Sequence, residues 1–83
     1  MKIGNELGLH ARSAALFAKV ANQFQAEITV EKGVNVINGK SIMGLLTLAA
    51  AKGSRLKITT EGSDAHEALE EIRELIKGKF GEK

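Results

Sequence analysis

The apolar residues of this chain change period along its length, and that change restricts the fold to a mixture of helices and strands. From Ser13 to Phe24, the residues Ala14, Phe17, Ala18, Ala21 and Phe24 recur at the spacing of one helix face. Ala65, Ala68, Leu69, Ile72, Leu75 and Ile76 repeat such a stripe near the end. Ser63 or Asp64 is placed to cap that last helix, and Asp64 with Glu67 has the spacing of a capping box. Between the two stripes the period drops to two. Glu27 to Glu31 alternates and is rich in β-branched residues, Lys32-Gly33 turns the chain, and Val34-Asn35-Val36 resumes the alternation, which predicts a hairpin. Arg55 to Thr60 alternates again, with Leu56 and Ile58 inward. Met1 and Ile3 predict a very short first strand.

Asn38-Gly39 is itself a hairpin signal that would send a further strand through Ser41, Ile42 and Met43. The Leu, Met and Ala content of Ile42 to Ala51 favours a short helix instead, with Ser41 as N-cap and Gly53 as terminator. The predicted order is βαββαβα. It suits an α+β two-layer sandwich, an antiparallel sheet with three helices on one side. At 83 residues, the chain should make a single domain over 1–83.

Composition narrows the function. The chain has no cysteine, so it can form neither a disulfide nor a thiolate metal site, and no cofactor or metal is expected. A formal charge of +2, without Tyr or Trp to stack on bases, argues against a nucleic-acid partner. The three Phe remain for stacking, but Phe17 and Phe24 fall on a helix face that reads as buried. The longest apolar run, Ile42 to Ala51, is far too short to span a bilayer, and no secretory leader is recognisable. A soluble, cytoplasmic protein is expected.

Chemistry is concentrated at Leu7-Gly8-Leu9-His10-Ala11-Arg12-Ser13, just ahead of the first helix. Free amides and the positive end of the helix dipole favour an anion there. Neutral imidazole is a nucleophile, Arg12 can pair with phosphoryl oxygens, and Gly8 allows close backbone approach. By spacing alone, a loop histidine beside a solvated arginine is the simpler explanation. His66 shares the polar face of the last helix with Glu70, Arg73 and Lys77 and reads as a surface residue. A helix at Ile42 to Ala51 is apolar all round. If Ile42, Leu45 and Leu48 face the core, Met43 and Leu46 point outward as an apolar docking patch.

Two stretches, Leu9-His10-Ala11-Arg12 followed by Ala14-Ala15-Leu16-Phe17, and Asn38-Gly39-Lys40-Ser41-Ile42-Met43-Gly44-Leu45, resemble the HPr family. These are the histidine-containing phosphocarriers of the bacterial phosphoenolpyruvate-dependent phosphotransferase system. The resemblance runs from about Asn5 to the last helix and implies a four-stranded antiparallel sheet of order 1-4-2-3. It implies that His10 takes a phosphoryl group on Nδ1 from a phosphohistidine of enzyme I and passes it to an enzyme IIA domain. Ala11, Arg12 and Ser13 would hold the phosphate. Such a protein is an intermediate in phosphoryl transfer rather than an enzyme with turnover of its own. Ser41 matches a serine that a dedicated kinase phosphorylates in some bacteria, and Ala15, Ile42, Met43 and Leu46 match the partner-docking face. The carrier of the nitrogen-related phosphotransfer chain and an HPr-like regulatory module stay open as alternatives. Two departures stand out. Ser13 replaces the family's usual proline, whose return should be tolerated or stabilising if Ser13 merely caps the helix start. The first strand is shorter than is usual in the family, so that edge of the sheet is expected to be incomplete.

Overall fold

The structure, a computed structural model, describes residues 1–83. Its elements are α1 (Ala11–Ala21), β1 (Glu27–Lys32), β2 (Asn35–Asn38), α2 (Ile42–Thr47), β3 (Lys57–Glu61) and α3 (Ala65–Lys77), followed by a 3-10 turn, Lys79–Gly81. The strands pair antiparallel in the order β2-β1-β3. In β1, Ile28 and Val30 point inward and are buried, while Glu27, Thr29 and Glu31 face away. Val30 lies opposite Ile37 of β2 and Ile58 of β3, so the inward row continues across the sheet. The helices close over this row: Phe17, Ala68, Ile72 and Ile76 join Ile28 and Val30 in one cluster of 17 buried residues. At about 25 cal/mol per Å² of apolar surface, each fully buried Phe or Ile adds roughly 1.5–3 kcal/mol. Gly39, just after β2, lets the chain pass this core: a Cβ there would lie 2.6 Å from Ile28 Cγ2 and 3.3 Å from Phe17 Cε1.

The sheet has three strands, which corrects the four-stranded expectation of order 1-4-2-3. What remains of the first strand is a single antiparallel bridge, Lys2 with Arg55. Ile3 N–H donates to Ser54 O at 2.9 Å, Gly53 N–H to Ile3 O at 2.7 Å and Leu56 N–H to Met1 O at 2.7 Å. The segment then leaves the sheet at Gly4 and Asn5, before a ladder can form. It is anchored by these three bonds and by burial of Ile3, without an extended ladder.

Several boundaries also move. Helix α1 starts two residues before Ser13, with His10 as N-cap, and ends at Ala21, after which Gln23 N–H donates to Val20 O at 3.1 Å and Phe24 N–H to Ala21 O at 3.3 Å in place of the helical pattern. Phe24 therefore lies beyond the helix and is half-buried. Helix α2 stops at Thr47 and not near Gly53. The Lys32 ammonium takes the carbonyls of Leu48 and Ala49 at 3.2 Å, and Ala49 adopts φ 49°. Asp64 occupies the N-cap of α3 but caps nothing in it, so the capping box with Glu67 does not form. Its carboxylate instead accepts from Gln25 N–H at 2.9 Å and Ala26 N–H at 2.8 Å, tying α3 to the loop before β1. No helix is long and apolar enough to cross a membrane.

Candidate functional site

His10 is the N-cap of α1, in extended conformation with a half-exposed side chain. The loop that delivers it is pinned from behind. Gly8 has φ 66°, and a Cβ there would stand 2.3 Å from Ala50 O, so only glycine fits. Leu9 N–H donates to the same carbonyl at 2.8 Å. Ser13, fully buried, secures the other side: its Oγ accepts from His10 N–H at 2.9 Å and donates to Gly8 O at 2.9 Å. The amides of Ala11 and Arg12, at the exposed helix start, donate to no backbone carbonyl. They are the orphan donors every helix start carries, and the dipole favours an anion beside them.

The imidazole is not free on its other side. Its Nε2 lies 2.9 Å from both carboxylate oxygens of Glu82. Arg12 Nη1 donates to Glu82 Oε2 at 2.7 Å and to Phe80 O at 3.1 Å. Asn5 Nδ2 donates to Glu82 Oε1 at 2.8 Å and to Gly8 O at 2.8 Å. The Asn5 hydrogen bond, opposed by partial desolvation and reinforced by His10 and Arg12, holds the Glu82 carboxyl below the usual carboxylate range. Glu82 is thus ionised at neutral pH. It reaches the site through the turn after α3, where Lys79, Phe80 and Gly81 all have positive φ, 57°, 56° and 73°. A non-glycine residue in this region costs of order 1–2 kcal/mol. Lys79 and Phe80 together thus cost about 2–4 kcal/mol, and burial of the Phe80 ring, 2% exposed, offsets roughly 1.5–3 kcal/mol of it.

The sequence motif thus assembles in space: His10, Ala11, Arg12 and Ser13 surround one helix start, with Ala11 and Arg12 exposed and Ser13 buried. Asn5, Phe80 and Glu82 were not singled out by the sequence, because no local spacing links them to His10. Ser41 is the N-cap of α2, and its Oγ accepts from Gly44 N–H at 3.0 Å. Leu45 in α2 and Leu48 just after it face the core, but Ile42 does not. Ile42 is 43% exposed and Met43 72%, with Leu46 half-buried beside them. Helix α1, which carries exposed Ala15, packs against α2. His66 is exposed on α3. The open pocket of the molecule lies against the β1–β2 hairpin, at Ile28, Val36 and Lys40, and includes none of the residues around His10.

A histidine, a helix start and an arginine thus lie around one point, an arrangement that favours an anion. A family model described as the PTS HPr component phosphorylation site matches residues 1–78. The chain belongs to the HPr family. It is a phosphocarrier of the phosphotransferase system. Among its relatives, the phosphocarrier protein HPr of Neisseria meningitidis serogroup A is 49% identical over 82 residues, 99% of this chain and 92% of the relative. The HPr-like protein Crh of Halalkalibacterium halodurans is 49% identical over 69 residues, 83% of this chain and 82% of the relative. A crystal structure of HPr from Thermoanaerobacter tengcongensis superposes with a TM-score of 0.96 at 44% identity, covering 100% of this chain and 93% of that one.

Proposed function

We propose that His10 accepts a phosphoryl group on Nδ1 from a phosphohistidine of enzyme I and passes it to an enzyme IIA domain. The pathway is phosphoenolpyruvate-dependent sugar uptake, in the cytoplasm. The observation that carries this reading is the position of His10 at the start of α1, its ring half-exposed beside the unpaired amides of Ala11 and Arg12. In the transfer, the imidazole attacks phosphorus as the bond to the donor's nitrogen breaks. The helix start and Arg12 meet the charge on the phosphoryl oxygens. Arg12 uses only Nη1 in its present hydrogen bonds, so its remaining N–H groups are available to the phosphate. The chain relays the group between proteins and turns over no substrate of its own. Accordingly, no deep pocket surrounds His10, and the exposed Ile42 and Met43, with Ala15 and Leu46, form the face on which both partners dock. Ser41 at the edge of that face is where a serine kinase acts, if the source organism has one.

The test is incubation with phosphoenolpyruvate and enzyme I. The protein should gain one phosphate that is labile in acid and stable in base, and His10→Ala should gain none. Labelling of His10→Ala at the wild-type rate refutes the assignment, and loss of label in His66→Ala would redirect it to His66. The Crh relative raises a regulatory module as a second reading. The intact His10 with its helix-start amides favours the carrier.

A further inference from the structure

We propose that Glu82 and Asn5 are positioning residues for the phosphoryl transfer: Glu82 holds His10 as the Nε2–H tautomer, leaving the reactive lone pair on Nδ1, and Asn5 aims Glu82. The inference rests on His10 being the acceptor. A carboxylate can only accept hydrogen bonds, so an Nε2 that lies 2.9 Å from both Glu82 oxygens must carry the proton. A neutral imidazole has one in-plane lone pair, which then sits on Nδ1. The tautomer is therefore set by this chain's own tail, whatever protein delivers the phosphate.

The contact is built rather than incidental. Glu82 is held from three directions, by His10, Arg12 and Asn5, and only 16% of its side chain is exposed. The turn carrying it accepts three successive positive φ angles and is anchored by the buried ring of Phe80. Asn5 is 0% exposed and spends its amide on the two parts that must meet, Gly8 O in the loop before His10 and Glu82 Oε1 in the tail. Its Oδ1 is buried without a partner, a cost tolerated where the Nδ2 contacts are needed.

The chemistry gives Glu82 its purpose. As the Nδ1 lone pair forms its bond to phosphorus, the phosphorus–nitrogen bond of the donor breaks and that electron pair returns to the donor's ring. The His10 ring becomes positive, and this charge is shared with Nε2, whose proton stays on nitrogen against Glu82. The carboxylate thus faces charge that develops during transfer, an interaction stronger in the transition state than before it. On onward transfer the electron pair returns to His10 and the ring is neutral again.

The experiment compares the full-length protein with Glu82→Gln and Glu82→Ala. It reads the ring ¹⁵N shifts of neutral His10, the ³¹P shift that tells Nδ1- from Nε2-phosphohistidine, and the single-turnover rate with phospho-enzyme I. The wild type should show the Nε2–H tautomer alone and Nδ1-phosphohistidine. Both variants should show mixed tautomers and transfer about tenfold more slowly, the partial exposure of the site limiting the effect. An Nδ1–H tautomer in the wild type overturns the proposal. So do variants that keep the pure Nε2–H form, whether their rate is unchanged or reduced. If a variant fails to fold, the wild-type tautomer alone decides. His10→Ala run alongside separates the two readings: label on that variant refutes the acceptor assignment, whereas its loss together with unchanged Glu82 variants refutes only the positioning role.

Discussion

Replacing Ser13 should destabilise this protein, even when the replacement is proline. The Ser13 hydroxyl sits at a fully buried position, accepts from His10 N–H at 2.9 Å and donates to Gly8 O at 2.9 Å. Without it, Gly8 O keeps the Asn5 amide at 2.8 Å, so that side loses little, about 0.5 kcal/mol. His10 N–H has no other partner, and leaving it unpaired costs about 1–3 kcal/mol. Ser13→Ala should then lose about 2 kcal/mol. Proline recovers about 0.4–1 kcal/mol by restricting the unfolded chain, although it also disfavours the helical conformation of Arg12 before it. Ser13→Pro should therefore lose about 1 kcal/mol. For a domain of this size each kcal/mol moves Tm by about 4–8 °C, so Tm should fall by about 8–16 °C for alanine and about 4–8 °C for proline. Thermal and urea unfolding of the three proteins measures this. A Ser13→Pro protein that melts at or above the wild-type temperature would refute the reasoning, since the hydroxyl would then contribute nothing that proline cannot replace.

Arg12→Ala should slow phosphoryl transfer from enzyme I by at least about tenfold, roughly 1.4 kcal/mol of barrier, with Tm almost unchanged because the side chain is 56% exposed. Normal transfer kinetics would remove Arg12 from the site. Ser41→Asp should keep Tm, because aspartate can also accept from Gly44 N–H, but should weaken the affinity for enzyme I by charging the edge of the Ile42 and Met43 face. Equal affinities in a binding titration would leave Ser41 as a cap only. Hydrogen bonds from Asn5, His10 and Arg12 lower the Glu82 pKa, and those from Gln25 and Ala26 lower that of Asp64. A carboxyl with a depressed folded pKa contributes stability that is present above its unfolded value, near 4, and is lost as pH falls through the folded value. Urea midpoints should therefore hold down to about pH 4 and drop below it, less steeply in Glu82→Gln and Asp64→Asn; identical acid slopes in all three would contradict the hydrogen-bond networks.

The sequence by itself determined the elements whose signal is short-range. The stripe through Ala14, Phe17, Ala18 and Ala21 and the one through Ala68, Ile72 and Ile76 report a helix because backbone geometry alone places those residues on one face. The same holds for the alternation in β1 and for Ser41, whose cap acts within three residues. The motif around His10 was marked by its resemblance to the HPr family; its spacing alone favoured a loop histidine beside a solvated arginine. Tertiary structure decided whatever depends on residues far apart in the chain. Asp64 reads as a helix cap from its neighbours, yet Gln25 and Ala26 take its oxygens once the loop before β1 packs against it. The first strand is predicted by its alternation, but a strand needs a partner over several residues, and the chain turns away after the Lys2–Arg55 bridge. Glu82 and Asn5 carry no local mark. Glu82 meets His10 across 72 residues of sequence, and Asn5 meets Glu82 across 77, because the buried ring of Phe80 folds the tail back over the start of α1; such contacts exist only once the core has formed.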